Sequence, residues 1–382
     1  MNTLLNQLTD RIRHAASHQT ALCIRGAGSK DFYGHPTQGE LLDTRGYRGI
    51  VSYEPSELVV TVRAGTPLRE LEAALAEKNQ CLAFEPPRFA SSDGPQGGTC
   101  GGMVAAGLSG PARASVGSLR DYVLGVQFIN GRAEQLTFGG QVMKNVAGYD
   151  VSRLLVGSLG TLGLLTEISL KVLPIAPGEA TLVFALDQAS ALTQLHRWGG
   201  QPLPLNASCW VRDDTAPGAP ELLFVRLRGA LAAVESACSK VLADVPGQRL
   251  DNAQTMGDWT ACRDQKLPFF TAPSQDAEPL ALWRLSLPQT APVLHLPWAQ
   301  LVEWHGGLRW LWAPESAQAQ LRREAAAVGG SATLFRAVGA GSVSTTARFD
   351  ALNPATEQIH RRLKAEFDPA GIFNPGRMFK GL

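Results

Sequence analysis

Apolar and polar positions alternate in two distinct rhythms along the first half of the chain. In "MNTLLNQLTDRIRHAASHQ" the residues Leu4, Leu5, Leu8 and Ile12 fall on one side at helical spacing, which predicts an amphipathic helix. "ALCIR" (21–25) is a short apolar run that predicts a strand leading into "GAGSK", and "LVVTVRAG" (58–65) predicts a second. In the following "TPLRELEAALAEKN" the residues Leu68, Leu71 and Leu75 form a helical stripe, with Thr66 placed to cap it and Pro67 at its first position. "DYVLGVQFINGRAEQLTF" (121–138) predicts a β-hairpin, for which Asn130-Gly131 favours a type I′ turn. "LLTEISLKVLP" (164–174) keeps Leu164, Thr166, Ile168, Leu170 and Val172 on one face of a strand.

Two prolines and a glycine in "LPIAPGEA" (173–180) end that pattern and mark a domain boundary. Beyond it, strand-like "ATLVFAL", "ASCWVR", "LLFVRLR" and "ALWRLSL" interleave with helix-like "ASALTQLHRW" and "ALAAVESACSKVLADV", predicting an antiparallel sheet covered by helices. "NPATEQIHRRLKAEFDP" predicts a last helix, capped by Asn353 with Pro354 at its first position. All five tyrosines lie between Tyr33 and Tyr149 and all eight tryptophans between Trp198 and Trp312, so the two halves differ in composition as well.

A length of 382 residues exceeds one usual core, in line with two domains. A net charge of +1 gives no reason to expect nucleic acid or an anionic membrane as partner. The six cysteines contain no C-x-x-C pair, which argues against an iron–sulfur cluster or structural zinc held by this chain and fits reduced thiols in a cytoplasm. No run approaches a membrane span, and the N-terminal segment lacks the apolar core of a secretory signal.

Glycine changes the picture most. "RGAGSK" (25–30), "GGTCGGMVAAGLSGPAR" (97–113) and "VGSLGTLG" (156–163) give up side-chain packing three times within one half. A Walker loop is excluded because no G-x-x-x-x-G-K-[ST] occurs, and the Rossmann pattern fails because Asp31 stands where its third glycine belongs. Successive backbone N–H groups at residues 26–29, with the Ser29 hydroxyl and the charge of Arg25 or Lys30, suit a pyrophosphate. The small side chains of "TCGGMVAAG" suit a flat ring lying close to the chain. A dinucleotide-type ligand accounts for all three segments, although a tight turn accounts for any single one.

These motifs, in this order, resemble the PCMH-type FAD-binding proteins of the vanillyl-alcohol-oxidase superfamily. The likeness is carried by "RGAGS", "TCGG", "VGSLRDYVLG", "KNVAGYDVSRLLVGSLGTLGLLTEISLKVLP" and "FDPAGIFNPGRM". It implies an α+β chain. A two-subdomain FAD-binding domain (1–176, subdomains about 1–85 and 86–176) would be followed by a smaller antiparallel cap domain (177–335) and a C-terminal segment (336–382) packing back on the first. It also implies that Arg25, Gly26, Ala27, Gly28, Ser29 and Lys30 hold the pyrophosphate. Thr99, Cys100, Gly101, Gly102, Met103 and Gly107 would then line the flavin side, with Gly160, Thr161, Gly163 and Ile168 near the ribityl or adenine end. The first loop has no histidine for covalent attachment, so a dissociable FAD is expected, with Cys100 a small buried residue. Leu159 replaces the glutamate of the family's "GSEGTLG".

Within that superfamily "PQGGTCGGMVAAGLSGPAR" and "KNVAGYD" resemble the E subunits of glycolate oxidases. The resemblance implies a complex with a larger FAD-binding D-type subunit and an iron–sulfur F-type subunit, oxidising glycolate or another small 2-hydroxy acid such as D-lactate. Such chemistry needs a cation for the carboxylate, a base for the hydroxyl proton and a hydride acceptor. "EWHGGLRWLW" (303–312) supplies His305 and Arg309 as weak candidates, and "KNVAGYD" supplies Lys144 and Tyr149, with structural roles the commoner explanation for each. No metal ligands stand out. Two functions therefore stay open: a subunit that itself oxidises the hydroxy acid, or a FAD carrier whose larger partner performs the chemistry.

Overall fold

The computed structural model describes residues 2–91, 97–140, 149–213, 217–273, 278–337 and 346–381. The chain divides into two compact units: Met1–Leu108 with Ser118–Pro174 and Ala351–Leu382, and Ser109–Gly117 with Ile175–Asp350.

The first unit is built on a five-stranded sheet in the order Ile50–Glu54, Val59–Arg63, Leu164–Lys171, Val123–Ile129, Gln135–Gly139. Its pairings are antiparallel throughout. The long alternating run 164–174 becomes the central strand, and Ile168 and Leu170 at its middle are sealed from solvent. Against this sheet pack Leu68, Leu71 and Leu75 of helix Leu68–Ala76 and Met103 and Val104 of helix Cys100–Ala106. Burying each such side chain contributes roughly 1.5–3 kcal/mol. A second, smaller cluster joins Leu8, Ile12 and Ala15 of helix Asn2–His18 to the parallel pair Leu22–Arg25 and Glu40–Asp43.

Two local expectations are corrected. Thr66 does not cap the helix: Pro67 is the capping residue, and Thr66 instead accepts from Gly49 N and donates to the Arg63 carbonyl. The hairpin forms, but its turn is longer than type I′. Asn130 accepts from the N–H of Ala133, its side-chain Oδ1 accepts from Arg132 N and Glu134 N, and Ala133 takes the left-handed conformation. Gly131 serves close approach instead: it donates to Phe367 O, and a Cβ there would lie 2.6 Å from Asp368 Oδ1.

That contact belongs to the C-terminal anchor. Helix Pro354–Phe367 starts on Asn353, whose side chain accepts from Thr356 N as the sequence predicts. It ends on a buried ion pair between Lys364 and Asp368, 2.7 Å apart. Asp368 also accepts from Ile372 N and Phe373 N, and Lys364 donates to the Thr161 and Phe373 carbonyls.

The second unit carries an eight-stranded sheet whose described pairings are all antiparallel. Ala180, Leu182 and Phe184 of strand Gly178–Ala185 face helices Gln188–Gly199 and Leu231–Asp244. Thr181, one position out of phase, accepts from Trp259 of helix Asn252–Arg263 on the opposite face. Ser109–Gly117, read in the sequence as part of the first half, belongs to this unit because Trp304 donates to the Gly110 carbonyl and Ser115 pairs with His305.

Candidate functional site

Strand Leu22–Arg25 delivers the chain into the first glycine-rich loop. A cavity of about 340 Å³ opens there, walled by residues 23–31 on one side and by Thr99, Gly102, Ala105 and Ala106 on another. The backbone N–H groups of Ala27, Gly28 and Ser29 have no acceptor among the described residues, although all three residues line the cavity. Three successive amides of this kind form an anion-binding concavity. Two absent side chains make it possible. A Cβ on Gly26 would lie 2.4 Å from Thr99 Oγ1, and Gly28, at φ +73°, would place one 2.3 Å from an Arg25 nitrogen. Arg25 is held across the loop by Asp31, at 2.7 Å.

The charge agrees with the geometry. Among the described residues Arg25, Lys30 and Arg377 line the cavity against the single carboxylate of Asp31. Burial of the Lys30 ammonium lowers its pKa to about 8, and the ring of Phe89 lies 5.9 Å from it. An anion beside Lys30 raises that pKa, so anion affinity is level below pH 8 and falls as the free chain loses its proton above it. FAD affinity is therefore expected to drop, by at most about tenfold per pH unit, above pH 8. Fluorescence titration across pH should show the drop in the wild type and its absence in Lys30→Arg.

The second loop meets the first through the helix Cys100–Ala106. Its cap, Thr99, accepts from Gly102 N at 3.2 Å. Of the residues expected on the flavin side, Thr99 and Gly102 line the cavity. Cys100 and Met103 point into the apolar core, and burial pushes the Cys100 thiol well above its ordinary pKa. Gly101 packs on Ala64, and Gly107 ends the helix in the left-handed conformation against Gly157. From the third segment Leu159 reaches the cavity. Gly160 abuts Asn374, Thr161 turns back onto the Ser158 carbonyl, Gly163 packs on Phe128, and Ile168 lies in the central strand. The structure thus gathers residues 25–30, Thr99 and Gly102, and gives the other glycines and Ile168 packing positions.

Sequence reasoning missed two residues of the C-terminal "FNPGRM". Asn374 accepts from Ile24 N and donates to the Leu159 carbonyl, tying the first loop's strand to the third segment. Arg377 donates to the carbonyls of Lys30 and Tyr33. Both line the cavity. The motif was visible in the sequence, but only its fold-back onto the first strand, where Leu22 bridges Phe373, gives it a place in the site.

Of the catalytic candidates, Tyr149 belongs to the first unit and His305 and Arg309 to the second. Lys144 lies outside the described residues, and Tyr149 is 96% exposed. His305 is buried in the second unit, its Nδ1 3.0 Å from Ser208 Oγ and its Nε2 3.0 Å from Ser115 Oγ. Burial lowers its pKa to about 4, so it is neutral at neutral pH. Arg309 is sealed from solvent, donates to the Ala291 carbonyl and has its pKa lowered to about 10 by burial. A larger cavity in this unit, about 680 Å³, lies among Trp259, Trp312, Cys209 and Cys262, and none of the candidates lines it. Among the described residues no cluster of His, Cys, Asp or Glu could hold a metal ion, and no helix is long and apolar enough to cross a membrane.

Known proteins resemble this chain along most of its length. The model of the FAD binding domain family matches residues 5–150. The chain is 43% identical over 376 residues to glycolate oxidase subunit GlcE of Escherichia coli (strain K12), covering 98% of this chain and 97% of that protein. It is 30% identical over 181 residues to glycolate oxidase subunit GlcD of Bacillus subtilis (strain 168), covering 47% of this chain and 37% of that one. Among solved structures, alkyldihydroxyacetonephosphate synthase matches with a TM-score of 0.64 at 15% identity, over 97% of this chain and 75% of the other, which establishes a shared fold. The chain belongs to the family of glycolate oxidase subunit GlcE and is an FAD-dependent oxidoreductase subunit.

Proposed function

We propose that this chain is the FAD-holding E-type subunit of a multi-subunit oxidase that converts glycolate, or another small 2-hydroxy acid such as D-lactate, to the 2-oxo acid. The observation that carries this reading is the near full-length, 43% identical match to GlcE. The amide concavity at residues 27–29 gives it a physical basis. Arg25, Lys30 and the backbone of 27–29 would hold the diphosphate of FAD, with Thr99, Gly102 and Leu159 beside it. Bound FAD supplies a two-electron acceptor. The residues of this chain hold the anion and neutralise it.

The oxidation itself is assigned to a larger D-type partner, and the electrons leave through an iron–sulfur partner. Two observations support that division. His305 spends both ring nitrogens on serines, and Arg309 is sealed from solvent, so neither is presented to a substrate. The six cysteines include no C-x-x-C pair, none of them is in a disulfide, and four are buried. Co-expression of this chain with a D-type and an iron–sulfur chain should yield one complex with glycolate-dependent dye reduction. Full activity of a complex lacking this chain would overturn the proposal.

A further inference from the structure

The second unit contains a cavity of about 330 Å³ that the proposed function leaves unused. Its wall is set by Trp304, which is buried and donates through Nε1 to the Gly110 carbonyl. Two guanidinium groups flank this one indole: the central carbon of Arg113 lies 4.3 Å from the ring centroid and that of Arg284 lies 5.2 Å from it. Both arginines line the cavity, and no acidic residue does so among the described residues. Arg284 has no ion pair or side-chain hydrogen bond among the described residues, so the indole face is its one described partner.

The ring's negative face attracts both cations and concentrates positive charge at this cavity. The backbone that places the ring is itself strained. Trp304 and His305 both take the left-handed conformation, at φ 54° and 56°, where residues other than glycine are uncommon. Ser208 Oγ secures the strained turn by accepting from His305 N, while Ser115 grips the ring of the same histidine. Strain of this kind persists where surrounding contacts enforce it and clusters at ligand sites.

We infer that this cavity binds a small organic carboxylate, clamped by Arg113 and Arg284 over Trp304. A carboxylate is planar and matches the guanidinium fork. Ser286 and Gln289 add neutral polar groups at the rim, and Leu287 with the indole supplies an apolar wall for a short carbon chain. The volume lies at the lower end of the range of small-molecule pockets, with room for a small carboxylic acid. The inference goes beyond the proposed function, since no step of the oxidation is asked of the site.

Isothermal titration of the FAD-loaded chain with oxalate, glycolate and inorganic phosphate tests it. Oxalate and glycolate should bind with one-to-one stoichiometry and more tightly than phosphate. Arg284→Gln and Arg113→Gln should each weaken oxalate binding by ~10-fold or more, the loss expected for one charged hydrogen-bonding partner. Arg284→Lys should recover part of the affinity. Unchanged thermal melting and flavin content in the variants would show that fold and cofactor site are intact. Absence of oxalate heat, equal affinity for phosphate, or wild-type affinity in either glutamine variant would overturn the carboxylate site. Flavin loss from the wild-type chain would count against the FAD reading instead, so the two failures are distinguishable.

Discussion

Replacing Gly28 by valine is expected to abolish FAD retention. Gly28 sits at φ +73°, and a Cβ there would lie 2.3 Å from Arg25 Nη2. A β-branched residue in that conformation costs about 1–3 kcal/mol on backbone grounds alone. The clash would also push the Arg25 guanidinium off Asp31 and out of the wall of the cavity. Losing both the amide concavity and one of its cations should lower FAD affinity by about 100-fold or more, taking roughly 3 kcal/mol for the pair. Gel filtration followed by flavin absorbance reads the result. Because the loop lies outside the main apolar cluster, the variant should still unfold cooperatively. Wild-type flavin content in Gly28→Val would show that the pyrophosphate binds elsewhere.

The second large effect concerns the C-terminal anchor. Asp368→Ala is expected to destabilise the chain by about 3–5 kcal/mol, the cost of leaving one partner of a buried ion pair alone. The Asp368 carboxylate is fully enclosed and accepts from Lys364, Ile372 N and Phe373 N. Its loss would strand the Lys364 ammonium among carbonyls and release the turn that carries Asn374 and Arg377 to the first loop. Urea unfolding measures the loss of stability. Combining Asp368→Ala with Lys364→Met should recover part of it, since the uncompensated charge is then gone. A drop below about 1 kcal/mol in the single variant would show that water relieves the pair.

Both effects depend on contacts of very different visibility in the sequence. The strands at 59–63, 123–129 and 164–171 were legible because short apolar, β-branched runs bounded by turn residues mark strands buried along most of their length. The helix at 354–367 was legible because Asn353 and Pro354 are chemically suited to start it. The first loop was legible for a similar reason: glycine at 26 and 28 has a backbone consequence that no other residue shares. The partners of that loop were not. Asn374 acts on Ile24 across 350 positions, and nothing local to either residue states the pairing. Thr66 misled because a buried threonine tying Gly49 and a helix-capping threonine have the same local sequence. Gly131 misled in the same way, since Asn-Gly fits a tight turn while the fold uses the glycine to admit Asp368. In the second half, six of the eight tryptophans are buried. Trp304 carries two arginines, which only the three-dimensional arrangement of residues 113, 284 and 304 discloses.

The central claim, that this chain holds FAD for a partner's chemistry, is tested most directly by anaerobic addition of glycolate to the purified, FAD-loaded chain. The account predicts a flavin spectrum that stays oxidised with the chain alone and bleaches once the D-type partner is added. Prompt bleaching of the isolated chain by glycolate would contradict it and place the oxidation within this subunit.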